Sequence, residues 1–317
     1  MTADLTDKIF TDEEAARKHF EALRWPDGPV CPFCGLVGDA IELKGKSTRP
    51  GLYKCHGCQK PFTATIGTLY ERSHIPLTKW LLATHLMAAS KKGMSAHQLW
   101  RMLGFGSYRT AWFMAHRIRE GMAPLKSEAG PLGGKGKIIE ADTTYVGGKE
   151  KNKHRSKRTA GNIGGKGKQI VHTLVERGGR ARSDHIANVS GKTLRPVVMK
   201  QVSRKSTLMT DTAGGYMDMG KEFVRHEMVD HGAGEYVRGD AHSNTVESYF
   251  ATFKRGIMGT YHNVSEAHLK RYLAEFDFRY NERTALGVSD AARAAKAVNG
   301  VANKRLTYRQ PDQAANA

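Results

Sequence analysis

Four cysteines in two matching pairs constrain this chain more than any other feature. Cys31-Pro-Phe-Cys34 and Cys55-His-Gly-Cys58 give the spacing C-x2-C-x20-C-x2-C, and the other residues of the 317 include no cysteine. Each pair bends the backbone into a knuckle, and Gly35 and Gly57 let the two knuckles turn tightly. Four thiolates offered by two such knuckles match the tetrahedral preference of Zn²⁺. A site closed by four protein ligands holds a fold and leaves no open position for chemistry. All the thiols lie within 28 residues, which speaks for a metal site in a reducing compartment and against a disulfide framework. Leu52-Tyr53-Lys54, between the knuckles, reads as short strand material. Ahead of the module, Thr11-Asp-Glu-Glu14 reads as a capping box for a helix carrying Ala16, Phe20 and Leu23. Pro26 and Gly28 stop that helix near Trp25.

The formal net charge of +19 and a pI of about 9.8 make a polyanion the first candidate partner, and nucleic acid the first polyanion. No apolar run is long enough to span a membrane, and no basic amphipathic anchor is present. The acidic N-terminus MTADLTDKIFTDEE lacks an apolar core and is not a secretory signal. Without secretion, Asn188-Val-Ser190 and Asn263-Val-Ser265 carry no glycosylation meaning, and an intracellular protein is expected.

Residues 77–122 are helical and basic. Leu77–Ser90 forms one helix, Ser95 caps a second through Leu103, and Gly104-Phe-Gly106 makes a turn. Ser107 then caps a third, Tyr108–Glu120, carrying Arg109, His116, Arg117 and Arg119. A helix, a short glycine turn and a basic helix are the pattern of a helix-turn-helix, with an ordinary three-helix packing unit as the alternative. Pro124–Gly134 has the composition of a linker.

Beyond it the periodicity changes. Strands are expected at Lys137–Gly147, Gln169–Glu176, Ala181–Val189, Ser206–Asp211 and Glu235–Arg238. Helices are expected at Lys192–Val202, from Asn244, and from Ser265 to about Asn281. Three successive strands followed by alternating helix and strand give an α/β domain with a mixed sheet. Residues 149–168, between the first two strands, hold eight Lys or Arg and one Glu, a block suited to phosphate contact.

Three carboxylates stand out in this domain. Asp142 lies inside the first strand, where a lone charge is costly to bury. Asp211 ends the fourth strand, and Glu247 follows after 35 intervening residues. Adjacent strands and a helix packed on them would bring all three together as a hard-oxygen site for Mg²⁺. Glu140 shares the strand face of Asp142 and is a possible auxiliary ligand. On the last of these elements Asn244, Glu247 and Lys254 fall on one stripe beside an apolar stripe of Val246, Phe250, Phe253 and Ile257.

The runs IEADTTYVGGK at 139–149, TD at 210–211 and HSNTVESYFATFKRG at 242–256 resemble bacterial insertion-sequence DDE transposases, as do GTYHNVSEAHL at 259–269 and EFDFRYNER at 275–283. The resemblance spans roughly residues 10–285. It implies an N-terminal helix over 1–28, a zinc ribbon over 29–72 and a helix-turn-helix over 73–123. A linker over 124–136, an RNase H-like catalytic domain over 137–285 and a C-terminal tail over 286–317 would follow. It further implies that Asp142, Asp211 and Glu247 are the catalytic triad, holding two Mg²⁺ or Mn²⁺ ions, and that Cys31, Cys34, Cys55 and Cys58 hold structural Zn²⁺. Lys254 matches a residue that holds the DNA end. His242 and Asn244 match polar positions before the helix. For His242, proton transfer, phosphate contact and simple packing all stay open, and Asn244 is a reserve third ligand. Thr143 departs from the pattern, since an acid often follows the first aspartate; alternation should point Thr143 away from the site. Arg255, Arg109, Arg117, Lys149, Lys151, Lys153, Arg155, Lys157 and Arg158 are the other candidate DNA contacts. The partners implied are double-stranded DNA, at element ends and target, and further copies of the chain on that DNA in a bacterial nucleoid. The implied reaction is cleavage at the element ends, then strand transfer by the freed 3′-OH. The competing functions are a DNA-binding regulator with an inactive catalytic domain and a structure-selective nuclease. A regulator has no use for a carboxylate cluster facing phosphates.

Overall fold

A computed structural model describes residues 4–124, 130–148, 154–158, 167–212, 214–230, 233–235 and 237–307. The chain forms two compact units. One comprises Met1–Ser90, Met94–Pro124 and Arg283–Ala317, the other Lys91–Gly93 and Leu125–Glu282.

The first unit begins with α1 (Glu13–Arg24). Its cap is Asp12, one residue later than the sequence pattern implied, with the carboxylate accepting the Ala15 N–H at 2.7 Å. Glu14 pairs with Lys18 on the next turn. Glu13 is thereby released to a different task. It accepts the Leu77 and Thr78 N–H groups, at 2.6 and 3.1 Å, and so caps α2 (Leu77–Ala89), whose own cap position is Pro76 and offers no acceptor. Strands β1 (Ala40–Glu42), β2 (Tyr53–Cys55) and β3 (Pro61–Phe62) form an antiparallel sheet in that order. Trp25, Tyr53 and Phe62 pack together beside it, with ring centroids 5.4–5.8 Å apart. In α3 (Ala96–Met102) and α4 (Tyr108–Met122), Ser95 and Ser107 cap as expected.

The segment read as a C-terminal tail carries a further helix, α8 (Asp290–Asn299), packed on α2 and α4. Its approach depends on small residues: a Cβ on Gly300 would meet the Gly121 carbonyl at 2.1 Å. Lys304 closes the contact by donating to the Glu120 and Ala123 carbonyls at the end of α4.

The second unit is a five-stranded mixed sheet, as expected, of order β6-β5-β4-β7-β8. Its strands are β4 (Ile138–Val146), β5 (Gln169–Glu176), β6 (Ala181–Ile186), β7 (Thr207–Asp211) and β8 (Arg225–Val229). Strands β4, β5 and β6 run antiparallel in sequence, while β7 lies parallel to β4 and β8 parallel to β7. One face buries Ile139, Ala141, Leu174 and Leu208 against Leu194 and Val198 of α5 (Gly191–Gln201). The other buries Val146, Val171 and Val175 against α6 (Asn244–Gly256) and α7 (Glu266–Asn281). The apolar stripe of α6 is the one expected, with Val246, Phe250, Phe253 and Ile257 all buried.

The fifth strand is Arg225–Val229; of the strand expected at Glu235–Arg238, Tyr236 lies outside the described residues, and Glu235, Val237 and Arg238 belong to no strand of the sheet, which corrects that expectation. The later segment runs back beside β8 through side chains: Arg225 meets Asp240, and Arg238 meets Glu227 and the Met228 carbonyl. Among the described residues of this segment, an isolated bridge joins Arg238 to Ala241. The β6 edge is closed differently, by α7. Asp277 accepts the Ser183 N–H at 2.8 Å, and the Asn281 amide both accepts from and donates to the Ala181 backbone. Asp277 and Asn281 of the EFDFRYNER run therefore serve as edge protection. Among the described residues no helix is long and apolar enough to cross a membrane.

Candidate active site and metal centre

The register of β4 against β7 sets Ala141 opposite Thr210. One further step along both strands puts Asp142 beside Asp211 where the ladder ends, on neighbouring strands roughly 4.8 Å apart. Both are half-buried, and alternation turns them toward the α6 face. Thr143 falls on the opposite face with Ala141. Glu247 sits in the first turn of α6, exposed with Asn244 and Lys254. The ligand atoms of the three acids do not all lie within 4.8 Å of one another. Asp142 accepts the Thr143 N–H at 2.6 Å, and Glu247 accepts the Ser243 hydroxyl at 2.9 Å. Among the described residues, only the four cysteines form a group of three or more metal-ligand side chains with all ligand atoms within 4.8 Å.

Glu140 is corrected from a possible ligand to a structural acceptor. It is 0% exposed, and its two oxygens accept the Thr245 and Val246 N–H groups at 2.8 and 2.9 Å and the Thr245 hydroxyl at 2.8 Å. Those are the N–H groups that an N-cap side chain would take, and Ser243 makes no such bond. Arg177 neutralises the buried charge, with Nε 2.5 Å from Glu140. The same guanidinium donates to the Asp240 and His242 carbonyls, each at 2.9 Å, and lies 3.0 Å from His242 Nδ1.

Behind the aspartates lies a buried polar pair. The Tyr216 hydroxyl is 3.1 Å from His172 Nδ1. Burial, and then the nearby Asp142 and Asp211 carboxylates, hold the Tyr216 hydroxyl well above its ordinary range. Burial pushes the His172 imidazole down to about 4.

In the first unit the cysteine sulfurs converge. Cys31 Sγ lies 3.6 Å from Cys58 Sγ, and Cys34 Sγ 3.5 Å from Cys55 Sγ. Tetrahedral zinc at a Zn–S distance of about 2.3 Å has sulfur–sulfur edges of about 3.8 Å, so the donor set and its spacing both fit.

The cations divide. Lys254 and Arg255 are exposed at the end of α6, as are Arg155 and Arg158 in the basic loop and Arg109 at the start of α4. Arg117 is instead packed over the Trp80 and Phe113 rings, at 5.7 and 5.1 Å, and donates to the Glu71 carbonyl. His116 and Arg119 are buried. Lys149, Lys151, Lys153 and the side chain of Lys157 lie outside the described residues.

Residues 131–281 match the ISXO2-like transposase domain, and residues 11–61 match the transposase zinc-ribbon domain. An uncharacterized protein in the transposable element ISH50 of Halobacterium salinarum is 30% identical over 284 residues, 86% of this chain and 92% of that protein. The chain belongs to the insertion-sequence DDE transposase family. Its four-cysteine module is the zinc ribbon of that family.

Within this transposase, reading the sequence missed two features: Arg177 with Glu140, and Tyr216 with His172. No local pattern marks either. Arg177 follows β5 in a turn, and its partner lies 37 residues earlier. Only strand pairing brings them together.

Proposed function

We propose that this transposase cuts and joins DNA by metal-assisted phosphoryl transfer at Asp142, Asp211 and Glu247. The observation that carries the reading is the β4–β7 register, whose last pair, Ala141 and Thr210, immediately precedes Asp142 within β4 and Asp211 at the end of β7. Glu247 stands on the helix that covers the same face of the sheet. An all-carboxylate donor set suits Mg²⁺ or Mn²⁺, and the repulsion among such acids is relieved by a divalent cation. Two ions of this kind, when bound, stabilise the attacking and leaving oxygens of an in-line displacement.

The chain's own groups position the DNA. Lys254 and Arg255 extend the exposed stripe of α6 and meet phosphates of an element end, with Asn244 at the other end of that stripe. Arg109, at the start of the second helix of the helix-turn-helix, and Arg155 and Arg158 of the basic loop add phosphate contacts. Water attacks the phosphodiester at the element end and frees a 3′-OH; that hydroxyl then attacks target DNA and displaces one of its own 3′ oxygens. Holding two ends at once calls for more than one copy of the chain on DNA.

Incubation of the full chain with Mg²⁺ and DNA from the flanks of its gene tests the proposal. Asp142→Asn should lower cleavage and joining about a thousandfold or more and leave end binding intact. Loss of binding in step with cleavage would make Asp142 structural. Nicks without joined products would favour a nuclease.

A further inference from the structure

We infer that Arg177 holds His242 as its Nε2–H tautomer, so that His242 meets DNA as a hydrogen-bond donor and not as a proton-accepting base. The role in DNA contact rests on the function proposed above; the tautomer does not.

The argument begins at the turn after β5. The Arg177 N–H donates to the Ile138 carbonyl at 3.0 Å, which ties the residue to the start of β4. Its guanidinium then spans the buried Glu140 carboxylate and two carbonyls of the segment leading into α6, those of Asp240 and His242. A guanidinium only donates. With Arg177 Nη2 at 3.0 Å, His242 Nδ1 must therefore present its lone pair. The Asn244 N–H approaches the same nitrogen at 3.4 Å, a second and weaker donor. The competing arrangement would place a proton on Nδ1 and share it with Glu140 Oε1 at 3.4 Å. That oxygen is already engaged at shorter range, by Arg177 Nε at 2.5 Å and the Thr245 hydroxyl at 2.8 Å. A proton on Nδ1 would also face a cation.

The proton consequently resides on Nε2, which has no partner among the described residues. His242 is 24% exposed, two residues ahead of the stripe that carries Asn244, Glu247 and Lys254. A neutral imidazole with a fixed Nε2–H suits a phosphate oxygen. It cannot take a proton through Nε2 in that state. Arg177 is thus a positioning residue: through Glu140 it sets the start of α6, and through His242 it aims a donor.

Nitrogen NMR on the full chain carrying ¹⁵N-histidine tests the tautomer without DNA, and the signals lost in His242→Gln assign the ring. The Nε2–H pattern is expected in the wild-type chain, giving way to Nδ1–H or a mixture in Arg177→Met. Arg177→Lys, which keeps a cation, is the second variant should Arg177→Met fail to fold. A wild-type Nδ1–H signal would overturn the inference. Cleavage of flank-derived DNA then tests the donor. The Gln amide reaches the place of Nε2 and the Asn amide that of Nδ1, so His242→Gln should stay within about tenfold of wild type while His242→Asn falls about 10- to 100-fold. Equal losses would remove the donor role. A wild-type chain inert on DNA but showing the Nε2–H signal would sink the proposed function and leave the tautomer standing.

Discussion

The cysteine ribbon and the acidic face of the mixed sheet both gather groups that repel when charged, yet the chain treats them in opposite ways. The four thiols come from two knuckles within 28 residues and converge, with sulfurs of each facing pair 3.5–3.6 Å apart. The acids Asp142, Asp211 and Glu247 come from three distant elements and stay further apart, each half-buried or exposed. Acids that are truly buried in the same unit are saturated instead. Glu140 has Arg177 and two backbone N–H groups, and Asp277 has the Ser183 N–H and two hydroxyls. A structural metal site must be closed to hold a fold, whereas a site for reacting phosphates must keep room for substrate. Under the proposed function, the openness of the acidic face suits chemistry as the closure of the ribbon suits a staple.

The strongest challenge to this contrast is to open the closed site. Cys55→Ser should abolish zinc retention and unfold the ribbon, at a cost on the order of 10 kcal/mol of metal-linked folding energy. Zinc content by atomic absorption and proteolysis of residues 29–72 report it, and unchanged zinc would end the four-thiolate assignment.

A smaller effect concerns a buried acid. Burial pushes the Asp277 carboxyl up to about 6 despite its three hydrogen bonds. Between about pH 4 and 6 the folded protein keeps this proton while the unfolded chain has lost it. Its contribution to stability is therefore full below about pH 4 and is lost as pH rises through 6, by about 3 kcal/mol. Asp277→Asn should flatten that part of the stability–pH curve measured by urea titration; an unchanged slope would show that Asp277 titrates normally.

Smallest is the difference between two arginines of α4. Arg109→Ala should reduce the salt slope of DNA binding by about 0.9, as expected for one lost phosphate contact. Arg117→Ala should leave that slope alone and lower stability by about 1–2 kcal/mol through its lost ring contacts. A common effect on the slope would mean that Arg117 also reaches phosphate.

These cases show why parts of the protein were legible in sequence. The zinc module rests on a spacing of a few residues, the caps Ser95 and Ser107 on their immediate neighbours, and the stripes of α6 on a helical period; each is a local rule. The misreadings were not local. Thr11 looked like a cap, but Asp12 had the better reach and Glu13 was drawn to α2. Glu235–Arg238 looked like a strand, yet β8 at Arg225–Val229 had a parallel partner in β7, and the later segment could only run beside it. Arg117, expected to contact DNA, also packs over Trp80 and Phe113, a contact that no local pattern announces.

By itself, then, the sequence determined the zinc ligands, the mixed α/β character, the basic balance and the identity of the acids worth watching, because composition, period and short spacing carry those directly. Tertiary structure alone decided that Glu140 is a helix cap and not a ligand, that Asp277 and Asn281 seal a sheet edge, and that Arg177 governs His242. Each of these depends on which donor meets which acceptor across strands and helices far apart in the chain, and buried polar groups take whatever partner the packing brings within reach.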